Sequence, residues 1–327
     1  MLETAFTRLV GCKIPIQQAA MGPIANPKLV SAVTNAGALG MLSGIVIRDV
    51  GILKKALAEV TSSVTGPFGV NYIVPLMKRN ELEEMVPVAA RSARVVEFFY
   101  DWPDKSLVEM AHKEKALVSW QVGTAEEAKA GVDAGCDLIV AQGIEAGGHV
   151  RGETGLLPLL SETLETVGEK VPIVAAGGIG TGRSMAAALV AGASAVRVGT
   201  RFVASEEARA HPDYVKSLVA SDAKDTVYTD KFQGAWPMRA PHRVLKKSLE
   251  AAIEFKSERI GESQNLYTGK KYDVTKYLDA VPLAYTTGNI EAMPHWAGES
   301  VGSVKKLQPA AEIVRELHAE AERLLSR

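Results

Sequence analysis

Eight short apolar runs alternate with helical patterns between residues 14 and 200, and this alternation constrains the fold more than any other feature. The runs occupy 14–20, 38–43, 67–73, 94–100, 116–121, 138–141, 172–180 and 195–200. Helical patterns fill the gaps at 26–36, 48–60, 81–91, 103–112, 124–134, 155–169 and 183–191. Asn26 and Pro27 supply a capping residue and a proline for the first helical position. Thr124, with Glu127 three residues on, reads as a capping box. Strands alternating with helices imply a parallel sheet with helical crossovers. Eight such units close into a TIM (β/α)8 barrel more naturally than they spread into an open doubly wound sheet. No G-x-G-x-x-G follows the first run, which disfavours a dinucleotide-binding domain of the Rossmann kind.

Residues 204–304 break the rhythm. They contain helical pieces such as 243–255 and loop-like stretches such as 288–302. The expected organisation is therefore a barrel unit, 1–203 and 305–327, with a helical and loop elaboration, 204–304, over the barrel mouth. Tyr285, Met293 and Trp296 in the elaboration either line a substrate pocket or pack the elaboration itself. The segment 309–325 reads as an amphipathic helix with Ile313, Leu317, Ala321 and Leu324 on one side. Its stripe, and those of the elaboration, serve either intramolecular packing or a homodimer surface.

The formal net charge of -1, from 37 basic and 38 acidic side chains, gives no footing for nucleic acid or an anionic membrane. No run approaches about 18 apolar residues, so no membrane span is expected. The N-terminal stretch carries Glu3 and Arg8 and lacks the apolar core of a leader. A cytoplasmic enzyme is expected. Cys12 and Cys136 are too few and too far apart for a disulfide framework or a metal site, and no metal is expected.

Active sites of such barrels lie at the C-terminal ends of the strands. Those ends present Met21, Asn71, Gln121, Gln142, His149, Gly177, Gly178, Gly199 and Thr200. The stretch 137–149 is the most informative: an apolar run stops at Gln142, and Gly147 and Gly148 then precede His149. Glycines after the last two runs suit a phosphate, because a Cβ would hold the backbone away from its oxygens. A helix starting at 179–183 would add its N-terminus. Asn71 and Gln121 offer amides that match the alternating donors and acceptors of a flavin ring edge, or else are satisfied strand-end polar groups. Together with the phosphate cradle they favour flavin mononucleotide (FMN). His149 is the candidate acid or base, with an ordinary pKa near 6.5. No cysteine lies between Gly178 and Gly199, and no lysine ends a late strand, which removes thiol and Schiff-base chemistry.

The motifs Gln142-Gly-x-Glu-Ala-Gly-Gly-His149, Ala175-Ala-Gly-Gly-Ile179 and Val198-Gly-Thr-Arg-Phe202 resemble those of the nitronate monooxygenase (2-nitropropane dioxygenase) family. Gly69-Val-Asn71 and Trp296-Ala-Gly298 extend the resemblance over nearly the whole chain. Related motifs occur in flavin-dependent enoyl-acyl-carrier-protein reductases and NADH:quinone reductases. The resemblance implies an FMN-binding TIM barrel that oxidises alkyl nitronates, or nitroalkanes, with dioxygen to a carbonyl compound and nitrite. The alternative it leaves is an NAD(P)H-dependent reductase of quinones or enoyl thioesters. By matching position it assigns catalysis to His149. Flavin contacts fall to Met21, Asn71, Gln121, Gln142, Gly147, Gly148, Gly177, Gly178, Gly199 and Thr200, and the substrate pocket to Tyr285 and Trp296. The family usually has proline before the first methionine; this chain has Ala20.

Overall fold

All eight apolar runs become barrel strands in a computed structural model that describes residues 2–326. Residues 1 and 327, the outer limits of the expected barrel unit, lie outside the described residues. The strands are β1 (Ile16–Gln18), β2 (Gly40–Ser43), β3 (Phe68–Ile73), β4 (Val95–Phe99), β5 (Leu117–Val122), β6 (Leu138–Gln142), β7 (Gly148–His149), β8 (Ile173–Ala176) and β9 (Ala195–Val198). Apart from β7, they run parallel in the order β1-β9-β8-β6-β5-β4-β3-β2. The ring closes where Gln17 bridges Leu39, with Gln18 N–H donating to Leu39 O and Leu39 N–H to Ile16 O, each at 2.9 Å.

Alternate residues of each strand face the barrel axis. On β4, Val95, Glu97 and Phe99 point in, while Val96 and Phe98 pack outward beneath the helices. The lower interior is apolar: Leu39, Met41, Val95, Leu138, Val140 and Val174 fill it. Phe6 and Val10 of the helix Ala5–Val10 plug its base. The upper interior is polar, with Gln17, Asn71, Glu97, Ser119, Gln121 and Arg197. Each fully buried apolar side chain contributes roughly 1.5–3 kcal/mol, so the lower layers carry stability and leave the upper layer for chemistry.

Helix starts follow local chemistry. The Asn26 side chain accepts from Lys28 and Leu29 N–H groups at 2.9 and 3.3 Å, with Pro27 first in the helix Pro27–Asn35. Thr124 caps the helix Ala125–Ala134 by accepting from Glu127 N–H. The expected capping box does not form, because Glu127 turns its carboxylate to Gly123 N–H at 2.8 Å and to Arg151. The terminal helix Ala310–Leu325 buries Ile313, Val314, Leu317 and Ala321.

Residues 204–304 hold more strand than their sequence suggests. Beside the helices Pro212–Val219 and Lys246–Glu254 they form β10 (Thr226–Thr229), β11 (His242–Leu245), β12 (Arg259–Gln264), β13 (Lys271–Thr275) and β14 (Thr287–Gly288). The expected helix at 243–255 begins three residues late, because 242–245 pairs as β11. Two antiparallel sheets result, β10-β11-β7 and β13-β12-β14. The first joins the region to the barrel: His242 pairs with His149 and Arg243 with Gly148. Among the described residues no helix is long and apolar enough to cross a membrane.

Candidate active site

A cavity of about 720 Å³ opens at the C-terminal ends of the barrel strands, within the usual small-molecule range of about 300–1,000 Å³. Its walls include Met21, Asn71, Gln121, Gln142, Gly147, Gly148, His149, Gly177, Gly178, Gly199, Thr200 and Trp296. Tyr285, expected in the substrate pocket, is not among them. Its segment is held against 209–211 by the Ala210–Leu283 bridge and by Ala284 N–H donating to Arg209 O at 2.9 Å, which packs the ring on the core. Met293 is likewise fully buried in the core of the elaboration, with Phe232 and Val244.

His149 does not sit directly on the end of β6. It lies in the separate strand β7, and Gln142 ties the two together. Gln142 Nε2 donates to His149 O at 3.0 Å and its Oε1 accepts from Arg151 N–H at 3.1 Å. Gln142 therefore acts on the loop that carries the histidine. That loop packs backbone to backbone on another: a Cβ at Gly147 would overlap the Gly298 nitrogen, and one at Gly298 would lie 2.8 Å from Glu145 O. Only glycines permit this approach.

Aromatic rings surround His149. Trp236 lies 4.1 Å away between centroids, His242 5.1 Å and Trp296 5.3 Å. His149 Nε2 is buried and has no hydrogen-bond partner among the described residues. Burial, helped by the nearby His242, holds its pKa well below 6.5. The expectation of an ordinary histidine pKa is thus corrected: the ring is neutral at neutral pH. His242 is pinned neutral as well. Its Nε2 accepts from Phe232 N–H at 3.1 Å, so its Nδ1 carries the proton and donates to Ala240 O at 3.0 Å. Burial lowers its pKa to about 4.

At the cavity floor, which Arg197 helps to line, lies a buried ion pair absent from the sequence expectations. Arg197 on β9 meets Glu97 on β4; they are 7% and 0% exposed. Glu97 also accepts from Asn71 Nδ2 at 2.9 Å, Gln17 Nε2 at 3.1 Å and Ser119 at 3.3 Å, and Arg197 donates to Gln121 Oε1. A charged residue inside each apolar run, at an inward position of the two-residue repeat, was the available signal. Trp236, Asp279, His242 and Ser300 were also missed, because nothing local marks residues of an irregular region as facing the barrel.

The glycine-ended strands form two lips. Gly177 and Gly178 have φ of 111° and 66°, and a Cβ at Gly177 would come within 3.0 Å of Gly143 O. The N–H groups of Gly178, Ile179 and Gly199 enter no hydrogen bond among the described residues. Thr200 Oγ1 accepts from Gly298 N–H at 3.0 Å, leaving its own hydrogen free to donate. The helix expected to begin within 179–183 starts at Gly182, capped by Thr181, but Glu320 accepts its first N–H at 2.8 Å. The anion cradle is therefore the two lips without that helix. Free N–H donors, a hydroxyl and two half-satisfied amides lining one cavity are groups that fit a flavin with a phosphate tail. Among the described residues no group of acidic, histidine or cysteine side chains is placed to hold a metal.

The nitronate monooxygenase family model matches residues 3–320. A nitronate monooxygenase from Pseudomonas aeruginosa is 32% identical, over 95% of this chain and 97% of its own length. A (3aS,4S,5R,7aS)-5-hydroxy-7a-methyl-1-oxo-octahydro-1H-indene-4-carboxyl-CoA dehydrogenase from Rhodococcus jostii is 34% identical, over 77% of this chain and 68% of its own. Among solved structures, FabK from Thermotoga maritima superposes with a TM-score of 0.80 at 28% identity, covering 100% of this chain and 98% of that one.

Proposed function

The chain belongs to the nitronate monooxygenase family of flavin-dependent oxidoreductases, and from that premise we propose that it binds FMN noncovalently and oxidises alkyl nitronates with dioxygen, giving a carbonyl compound and nitrite. The observation that carries this reading is the neutral, desolvated His149 at the cavity wall. A histidine of low basicity is a poor base for a neutral nitroalkane, whose α-proton must be removed. A nitronate arrives already deprotonated and asks only for a hydrogen-bond donor and a fixed pose. His149, held between Trp236 and Trp296, supplies both.

In this reading Gly178, Ile179, Gly199 and Thr200 hold the phosphate, and Asn71 and Gln121 meet the ring. Bound there, a flavin would supply the redox chemistry that couples substrate oxidation to dioxygen. The aromatic cage excludes water around His149, and Gln142 keeps the histidine's strand in register. Ile45, Val46, Ile73, Leu76 and Val281 give the cavity an apolar wall for the small-molecule substrate.

That apolar wall favours a second reading. A passage lined this way also accepts a bulky apolar acyl group, and both the Rhodococcus jostii dehydrogenase and FabK are relatives of this chain. The alternative is an NAD(P)H-dependent reductase of quinones or enoyl thioesters. Anaerobic stopped-flow mixing separates the two. Rapid bleaching of the flavin by propyl-2-nitronate, with slow bleaching by NADH or NADPH, is expected. Fast bleaching by a nicotinamide and none by nitronates would reverse the assignment and leave the barrel and its cofactor site intact.

A further inference from the structure

We infer that the buried Glu97–Arg197 pair sets the hydrogen-bond polarity of the two amides that face the cofactor, making Asn71 an acceptor and Gln121 a donor. The inference rests on the flavin reading above and adds to it Glu97, which lies outside the cavity wall, and Arg197, which reaches the wall from below.

An amide side chain can turn either its oxygen or its nitrogen outward, and nothing intrinsic to asparagine or glutamine decides between them. Here charge decides. Among the groups that Asn71 and Gln121 meet below the cavity, ionised Glu97 can only accept and Arg197 can only donate. Asn71 must therefore spend its nitrogen on Glu97, at 2.9 Å, and Gln121 must spend its oxygen on Arg197. Asn71 Oδ1 and Gln121 Nε2 make no hydrogen bond within the described residues, are not sealed in the core, and belong to the cavity wall. The cavity floor thus offers a fixed acceptor from β3 and a fixed donor from β5. The pyrimidine edge of a flavin is the complement: an N3–H donor flanked by two carbonyl acceptors.

Energetics argue the same way. Taking both charges out of water is costly, and an apolar pair of equal volume would serve stability as well or better. Arg197 Nε moreover finds no partner among the described residues. The pair's place on the barrel axis is explained by what it imposes on its neighbours. Glu97 is anchored for that task by Gln17 from β1 and Ser119 from β5.

Full-length protein stripped of flavin and titrated with FMN and with N3-methyl-FMN, which lacks the N3–H donor, tests the inference. Wild-type protein is expected to bind FMN about tenfold more tightly, the equivalent of one hydrogen bond to a fixed acceptor. The double variant Glu97→Gln/Arg197→Gln removes both charges together, so no lone charge is left buried, and it frees both amides to turn. Its preference should fall to about twofold or less. A merely steric rejection of the methyl group would persist in that variant and would overturn the inference. Equal affinity of wild-type protein for both flavins would overturn it without any variant. Glu97→Asp keeps an acceptor-only group and should keep the preference; its loss there counts against the inference. Failure of wild-type protein to bind either flavin would instead remove the flavin reading.

Discussion

Trp236 lies over His149 with ring centroids 4.1 Å apart and planes inclined by 35°, and its Nε1 donates to Asp279 Oδ2 at 3.0 Å. A carboxylate from the irregular region thus holds the ring that desolvates the histidine. Trp236→Ala should admit water and raise the His149 pKa toward 6.5. Loss of the ring contact, roughly 0.5–1.5 kcal/mol, corresponds to a fall in kcat/KM of up to about tenfold. The histidine's NMR titration reads the pKa directly, and an unchanged titration would reject the desolvating role.

His149→Asn or His149→Ala should lower kcat with nitronate by about 10²-fold, the scale for losing one preorganised donor at developing charge. Unchanged turnover with every substrate would remove His149 from catalysis. In the wild-type enzyme kcat/KM should be level through pH 6.5, because the folded pKa lies well below that value and the ring stays neutral on both sides of it. An inflection near 6.5 that vanishes in His149→Asn would contradict a neutral histidine.

Gly178→Asp should abolish flavin binding. It places a negative charge beside the proposed phosphate, a repulsion of ~4 kcal/mol at about 4 Å, or roughly 10³-fold in Kd. Residue 178 also has a φ of 66°, which disfavours a side chain. Purified variant protein should be colourless. A yellow variant with full flavin content would show that the phosphate lies elsewhere.

His242 and His295 are buried with folded pKa values of about 4, both lowered chiefly by desolvation. Unfolding restores a pKa near 6.5, so the unfolded chain takes up protons between those values. Stability from these groups is complete above about pH 6.5 and is lost as pH falls toward 4, at about 1.4 kcal/mol per pH unit for each. His149 acts in the same direction. Denaturant midpoints should drop from pH 7 to pH 5, and His295→Gln should make the decline shallower. A midpoint independent of pH over that interval would argue against neutral buried histidines.

Local pattern made the barrel legible before any coordinates. Runs such as 138–141, bounded by glycine and separated by capped helices, state which segments are buried strands, because burial and backbone preference are encoded within a few residues. The glycine lips at 177–178 and 199, and the approach of Gly147 to Gly298, depend on missing Cβ atoms and show in sequence as glycines at strand ends. Sequence by itself thus determined the number of barrel strands, the end of the barrel that carries the site, and His149 as its candidate centre. Tertiary structure alone decided what those residues can do. Glu97 and Arg197 stand 100 positions apart and meet only because the ring closes, and their charges then orient Asn71 and Gln121. Strand β11 and Trp236 come from an irregular stretch whose periodicity does not say which way it faces. The depressed basicity of His149 follows from their arrival, because a pKa depends on how much water every neighbour in space removes, and that quantity has no local signature in the chain.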